Sequence, residues 1–568
     1  MAKGYRPVDR DQRFLLPPDM AEWLPEDHLA WFVIDTVAAL DTSALHERAA
    51  ARRDGTPARS AAGRAGYDPD MLLALLIYGY AGGERSSRRI ERLCATDVAF
   101  RVICAGDTPD HTVIARFRQT HAAVFVELFA QVLRLCRAAG LARLGTVAID
   151  GTKIAANASR LANRSHQWLT TEVTRLDQAP DPGGADPGGA DPGGADPGGA
   201  DPGGADPGDR EQVKAILADA ERVDAAEDAV FGTGARGDEL PVGWAGRGGR
   251  QARIRAALAR LTAEQAAREA QKLAEAAARA ERDAAALAEA ERALAAELAQ
   301  RQAARDTWEQ QWEQAMTIPG APLPRGAAPK PAEESVTVRR ARQRVDRARE
   351  RVDHPDTAPR PGGSRPHPDR RGRRDPQPEP RANLTDPDSS IMPSHNGWVQ
   401  GYNTQLAVTA DQIILGLQVS TNPADIVSYT PMVEAVTAAA AALHADGELG
   451  TLLLDTGYCS DDTLTAPGPD RLIATGKTRS IRQAARDHPA AGPPPPGASP
   501  REAMDHRLRT PDGAALYTRR GATAEPGIGN FKKLLDRFSR RGLTAALSEA
   551  HLAATAFNLL KIHRAAPA

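Results

Sequence analysis

A five-residue unit, DPGGA, recurs from Asp181 to Gly208, with aspartate at 181, 186, 191, 196, 201 and 206. Proline removes a backbone donor and glycine has no side chain to bury, so no core can form at this density. The repeat reads as a flexible tether, and what folds must be assembled from the segments on either side. At 568 residues the chain exceeds one ordinary core, so two or more domains are expected.

Before the tether, residues 1–140 read as mostly helical. "MLLALLIYGYAGG" is apolar and stops at glycine, and "SSRRIERL" begins with an N-cap serine at Ser86 or Ser87. "PDHTVIARFRQTHAAVFVELFAQVLRLCRAAG" carries Val113, Ile114, Phe117, Val124, Leu128 and Val132 at helical spacing and ends at Gly140. The pattern then changes to "GTVAID", a β-branched run read as a buried strand ending at Asp150.

Residues 161–382 read as an insertion: the repeat at 181–208, long helices over 210–316 and a basic linker over 325–382. Residues 250–316 are rich in Ala, Glu and Arg, with Leu287, Leu294 and Leu298 spaced for a long helix, a helical hairpin or a short coiled coil. Residues 325–381 hold 16 Lys/Arg against 9 Asp/Glu among many prolines. That stretch is expected not to fold alone, and it can either hold phosphates or serve as a solvated linker.

Order resumes over 383–565. "YNTQLAVTA" and "IILGLQVS" suggest a hairpin, "DIVSYTPMVEAVTAAAAALHA" a helix, "TLLLD" and "DRLIATGK" two further strands, and the C-terminus helices broken at Gly542. The class is therefore α+β or α/β and multidomain. An all-helical N-terminal domain (1–140) precedes a mixed-sheet domain (144–160 and 383–565), which the helical, partly disordered insertion interrupts. With the insertion set aside, the order is strand, strand, strand, helix, strand, strand, helix, as in an RNase H-like fold. There the first and fourth strands lie parallel and adjacent, so their C-terminal ends share one cleft.

Those two ends carry Asp150 and Asp455, and Glu525 is expected to open the helix after the last strand. Three carboxylates brought together repel unless a proton or cation neutralises them. Hard divalent cations do so, and two Mg²⁺ (or Mn²⁺) ions about 3.5–4 Å apart suit phosphoryl displacement. Asp386 and Asp388 in "TDPDS" either add to that cleft or form a turn. Upstream, "ERSSRRIERL" places Arg85, Arg88, Arg89 and Arg92 within two turns, with Arg116 and Arg118 in the next segment, a distribution that suits phosphate and major-groove contacts. His111 and His121 read as cap or surface residues.

Net charge is −2, which does not argue against DNA, because local patches carry such binding. Cys94, Cys104, Cys136 and Cys459 form no CxxC pair and imply a reducing compartment. The N-terminal "MAKGYRPVDRDQRF" lacks a signal-peptide core, and no run approaches the roughly 18 apolar residues of a membrane span. A cytoplasmic bacterial location is expected, at the nucleoid when bound to DNA, with no membrane partner.

The segments "SSRRIERLCATDVAFRVI", "PDHTVIARFRQTH", "AIDGTKIAANAS", "NLTDPDSSIM", "GWVQGYNTQLAV", "LLLDTGYCS" and "YTRRGATAEPGIGNFKK" together resemble the DDE transposases of bacterial insertion sequences, the IS eleven-eighty-two group in particular. The resemblance spans roughly 1–165 and 383–565. It implies that Asp150 and Asp455 are the two metal-binding aspartates and Glu525 the glutamate. Tyr517, Arg520, Glu525 and Lys532 match the family's last motif, with Arg520 and Lys532 implied at DNA phosphates. It also assigns the N-terminal helices to the element's ends. The implied activity is metal-dependent cleavage and strand transfer on double-stranded DNA, terminal inverted repeats and target, by a homodimer or larger assembly. A nuclease without strand transfer and a decayed copy that only binds DNA are the alternatives. Two departures stand out: "PGIGN" replaces a bulkier aliphatic and aromatic pair after Glu525, and Ser390 stands where the family usually has arginine.

Overall fold

In a computed structural model, the described residues are 22–50, 66–178, 246–319, 321–355, 380–394, 397–444 and 449–565. The DPGGA repeat and residues 210–245 of the expected long helices lie outside them. The chain forms two compact units, one from residues 1–260 with 381–568 and the other from 261–380.

Seven helices begin the first unit: α1 (Leu29–Ala39), α2 (Ser43–Ala50), α3 (Pro69–Ala81), α4 (Ser87–Thr96), α5 (Val98–Ile103), α6 (His111–Thr120) and α7 (Val124–Ala138). In α3 the Asp68 side chain caps the first turn, Pro69 sits just inside it, and Gly82 ends the helix. Leu72 to Ile77 are all buried, because this helix is apolar on every side. The Ser86 hydroxyl caps α4, which decides between the two candidate serines. The long segment from His111 is two helices rather than one, for the chain turns at 121–123 and His121 becomes the buried C-cap of α6. Strand β1 (Thr146–Ala155), β2 (Asn163–Ser165) and α8 (His166–Gln178) follow.

The second unit holds most of α9 (Gly246–Thr317) and all of α10 (Val336–Asp353). Arg349 pairs with Glu291 at 2.9 Å and Arg351 with Asp283 at 3.4 Å, while Thr337 bonds Glu297. Rising numbers on α10 thus meet falling numbers on α9, so the two helices run antiparallel. The basic stretch expected as a linker is here partly a helix. Val338, Val345 and Ala348 give α10 a buried stripe at spacings of seven and three, which its high arginine content concealed.

The sheet returns to the first unit. Its strands are β4 (Ser390–Ser394), β5 (Gly397–Thr409), β6 (Ile414–Ser420), β7 (Thr451–Leu454) and β8 (Arg471–Ile473); β3 (Arg381–Asn383) pairs with β2 in a separate two-stranded sheet. β5 pairs antiparallel with β1, β4 and β6, whereas β1–β7 and β7–β8 are parallel. β1 does not stop at Asp150, because β5 is 13 residues long and keeps pairing to Ala155 opposite Gly401. Eight consecutive residues of β5, Tyr402 to Thr409, are buried, as expected of a strand covered on both faces.

Helices supply that cover: α11 (Tyr429–Ala442), α12 (Asp461–Thr465), α13 (Thr478–Asp487), α14 (Pro500–Arg509), α15 (Pro511–Leu534) and α16 (Leu543–Ala565). One cluster joins β1, β5 and β6 to α11, α16 and the N-terminal helices; the other packs Tyr517 and Ala524 of α15 on Ala148, Leu453 and Leu472. The Asn558 side chain accepts from the Ile414 amide and donates to its carbonyl, both at 2.9 Å, which fastens β6 to α16 beside a register shift at Ala407/Val408. The expected break at Gly542 is present, with φ at 90°. Overall the chain is α+β, mostly helical with one mixed sheet and a helical insertion. No helix among the described residues is long and apolar enough to cross a membrane.

Candidate active site

The parallel register of β1 and β7 pairs Ala148 with Leu453. Two residues further on, Asp150 lies within β1 and Asp455 lies just past the end of β7. The two carboxylates therefore meet at one level of the sheet, on the side where β7 gives way to a loop. Asp455 is held by that loop: its Oδ1 accepts from the Gly457 amide at 2.8 Å and caps the turn Thr456–Tyr458. Asp150 Oδ1 accepts from the Gly151 amide at 2.9 Å. Each side chain thus keeps Oδ2 for the cleft.

Arg520 occupies the space between them. Its Nη2 is 2.8 Å from Asp150 Oδ2 and 3.7 Å from Asp455 Oδ2, with the side chain 12% exposed. Its Nε is buried and has no hydrogen-bond partner among the described residues. Helix α15 delivers this arginine one turn beyond Tyr517, whose hydroxyl donates to the Leu454 carbonyl at 3.2 Å. Burial pushes the Asp150 carboxyl up to about 6; the Arg520 guanidinium opposes that shift and the Asp455 carboxylate adds to it.

A third carboxylate at the cleft is one the sequence did not point to. Asp425 Oδ1 accepts from Lys153 Nζ at 3.0 Å, Asn403 Nδ2 at 2.9 Å and Gln405 Nε2 at 2.7 Å. Tyr458 in turn donates to Gln405. A methyl group on Gly457 would sit 2.9 Å from Asp455 Oδ1 and 3.1 Å from Asp425 Oδ2, so those two oxygens are no more than about 6 Å apart. "NPAD" before a helix reads as an ordinary turn, and only the strand register carries Asp425 to this place.

Glu525 was expected to open its helix, but it lies in the interior of α15, followed by Pro526 within the same helix. It is exposed and forms no hydrogen bond or ion pair among the described residues; its carboxylate lies over Gly521, where a methyl would be 3.4 Å from Oε1. The reason is angular. At about 100° per residue, five residues place Glu525 roughly 140° around the helix from Arg520. Gly527 does not loosen a helix start either. It is buried, and a methyl there would be 2.8 Å from Val408 Cγ1, so the glycine lets α15 approach β5.

The remaining expected residues separate by exposure. Arg89, Arg92, Arg116 and Lys532 are exposed, and Arg88 is half-buried. Arg89 pairs with Glu84 at 2.9 Å. Arg118 is not available to a phosphate: it is 2% exposed and donates to the Arg85 carbonyl at 2.8 Å, to Tyr80 and to Ser87. Tyr517 is likewise packed against β7 rather than presented to DNA. Asp386 and Asp388 serve the start of α16, accepting from the amides of Gly542 at 3.1 Å and Leu543 at 2.8 Å, and Asp386 also accepts from Tyr402.

The donor set around Arg520 suits a hard divalent cation. Asp150, Asp455 and Asp425 offer only oxygen, and a bound cation would oppose the upward push that burial gives the Asp150 carboxyl. Two family models match the chain. One, described as "Transposase domain (DUF772)", covers residues 18–120; the other, described as "Transposase DDE domain", covers residues 496–563. The second match takes in Tyr517, Arg520, Glu525 and Lys532 and leaves β1 and β7 outside it. No curated protein and no solved structure matches the chain.

Proposed function

We propose that this chain, which matches two transposase family models over residues 18–120 and 496–563, is an insertion-sequence DDE transposase that cuts and joins DNA at the ends of its own element in a divalent-cation-dependent reaction. The observation that carries this reading is the pairing of Asp150 with Asp455 on adjacent parallel strands, with Arg520 between them. The strand order β6–β5–β1–β7–β8, three antiparallel strands followed by two parallel ones, supports an RNase H-like catalytic domain.

Asp150 and Asp455 would hold Mg²⁺ or Mn²⁺ through the carboxylates that Arg520 now pairs with, with Glu525 as the family's third carboxylate. Two such ions supply activation of the attacking oxygen and charge neutralisation on the leaving one. Arg520, displaced from the carboxylates, turns its guanidinium to the phosphate oxygens of the scissile strand, and Lys532 contacts the backbone beside it. In the first step a water oxygen attacks phosphorus and the 3′-oxygen departs as a hydroxyl. In the second, that 3′-hydroxyl attacks a target phosphodiester and displaces its 3′-oxygen, so bonds made and broken balance without a covalent protein intermediate. The N-terminal helices grip the terminal repeats through Arg88, Arg89, Arg92 and Arg116. Both ends must be held at once, which calls for a dimer or larger assembly.

The test is cleavage of a labelled duplex carrying the element's end, with Mg²⁺ or Mn²⁺, by the intact chain and by Asp455→Ala. Nicking at the repeat boundary that needs the metal and Asp455, followed by strand-transfer products, supports the reading. Nicking without joined products reduces the protein to a nuclease. DNA binding without any nicking favours a decayed copy, the reading to which the exposed position of Glu525 gives weight.

A further inference from the structure

We propose that the arginine face of α10 in the inserted unit is a docking surface for duplex DNA, gripping phosphates without regard to sequence. Arg340, Arg344 and Arg347 are exposed, and none has an ion-pair partner among the described residues. With Arg351 they follow the spacing i, i+4, i+7, i+11, which lines them along one stripe of the helix. At about 1.5 Å per residue, Arg340 to Arg347 covers roughly 10 Å of helix axis.

The stripe carries one sign of charge. Asp346 and Asp353 fall more than a quarter-turn away from it around the helix, Glu350 lies about 60° from Arg347 without pairing to it, and only Arg351 is neutralised, by Asp283. Like charges at i and i+4 destabilise a helix, so Arg340 beside Arg344 works against folding unless a polyanion compensates. The helix that presents them is nevertheless fixed, because Val338, Val345 and Ala348 are buried and Ser335 caps its first turn. A rigid row of unpaired guanidinium groups complements a phosphate backbone, which guanidinium recognises in a forked geometry. This inference rests on the DNA-processing reading above but assigns the inserted unit a part that reading leaves open.

The experiment uses the full chain. Binding to a fluorescein-labelled duplex of arbitrary sequence is followed by anisotropy across a salt titration, for the intact protein, for Arg340→Gln/Arg344→Gln/Arg347→Gln, and for the same three positions changed to lysine. Each phosphate contact contributes about 0.9 to the slope of log K against log salt, so the glutamine variant should bind more weakly with a slope shallower by about 2–3. The lysine variant should restore most of that slope, and circular dichroism should show the same helix content in all three. An unchanged slope in the glutamine variant, with the intact protein binding normally, overturns the inference. A change in sedimentation with DNA binding intact also overturns it, because the stripe would then contact another protein chain. Failure of the intact chain to bind any duplex would defeat the functional reading and this inference together.

Discussion

Asp150 and Asp455 stand two residues beyond the same strand pair, Ala148–Leu453, and share a single counter-charge, Arg520, at 2.8 and 3.7 Å. Two carboxylates aimed at one arginine leave the site poised for a second cation. Folding stability and cation binding should therefore be linked at this point.

Arg520→Gln leaves two half-buried carboxylates facing each other without their counter-charge, and such a loss costs about 1–3 kcal/mol. The variant should melt lower than the intact chain in chelator, and Mg²⁺ should raise its Tm by more than it raises that of the intact chain. Differential scanning fluorimetry with and without Mg²⁺ measures this. Equal Mg²⁺ responses in both proteins would mean that the ion does not occupy the space Arg520 fills.

The arginines of the N-terminal helices should separate into two kinds. Arg118→Gln strips a buried guanidinium from Tyr80, Ser87 and the Arg85 carbonyl, and should cost about 3 kcal/mol of stability or more. Arg92→Gln with Arg116→Gln touches exposed side chains and should leave Tm within a degree or two while weakening DNA binding. Thermal melts and duplex titrations on the same preparations distinguish the two, and a stable Arg118→Gln protein would refute the structural role.

Asp386 provides a pH signature. Burial pushes its carboxyl up to about 6, with the Tyr402 hydrogen bond opposing the shift. The native state thus holds this proton more tightly than the unfolded chain, whose carboxyl titrates near 3.8. The contribution is fully present at acid pH and is lost as pH rises through about 6, a fall of up to about 3 kcal/mol. Asp386→Asn should therefore equal the intact chain near pH 4 and gain on it by pH 7 in denaturant melts. A constant difference across that window would assign the loss to other groups.

Gly527→Val should be destabilising even though valine is a better helix former than glycine. The first added carbon would already be 2.8 Å from Val408 Cγ1, and overpacking a close contact costs about 1–3 kcal/mol. Urea unfolding gives the number. A more stable variant would show that α15 can move off β5 freely.

Periodicity and punctuation made much of the architecture legible. The glycine at the end of α3, the serine cap of α4, the break at Gly542 and the alternation of helices with short β-branched runs all follow from local rules acting within a few residues. The two aspartates at the ends of apolar runs were legible for the same reason, since a buried strand leaves few places for a charge. Residues 336–353 were not, because three small apolar residues among many arginines give α10 a stripe that matters only once α9 covers it.

What the sequence by itself determined is which residues could be buried, where helices start and stop, and that Asp150 and Asp455 are candidates for one cleft. Tertiary structure alone decided the rest. Strand register brought Asp425 and Lys153 beside that cleft across 272 positions of chain, and the phase of α15 sent Arg520 inward while leaving Glu525 outside. Burial turned Arg118 and Tyr517 from candidate DNA contacts into packing residues. These outcomes depend on angle and distance between elements that never meet in sequence, which no local propensity encodes.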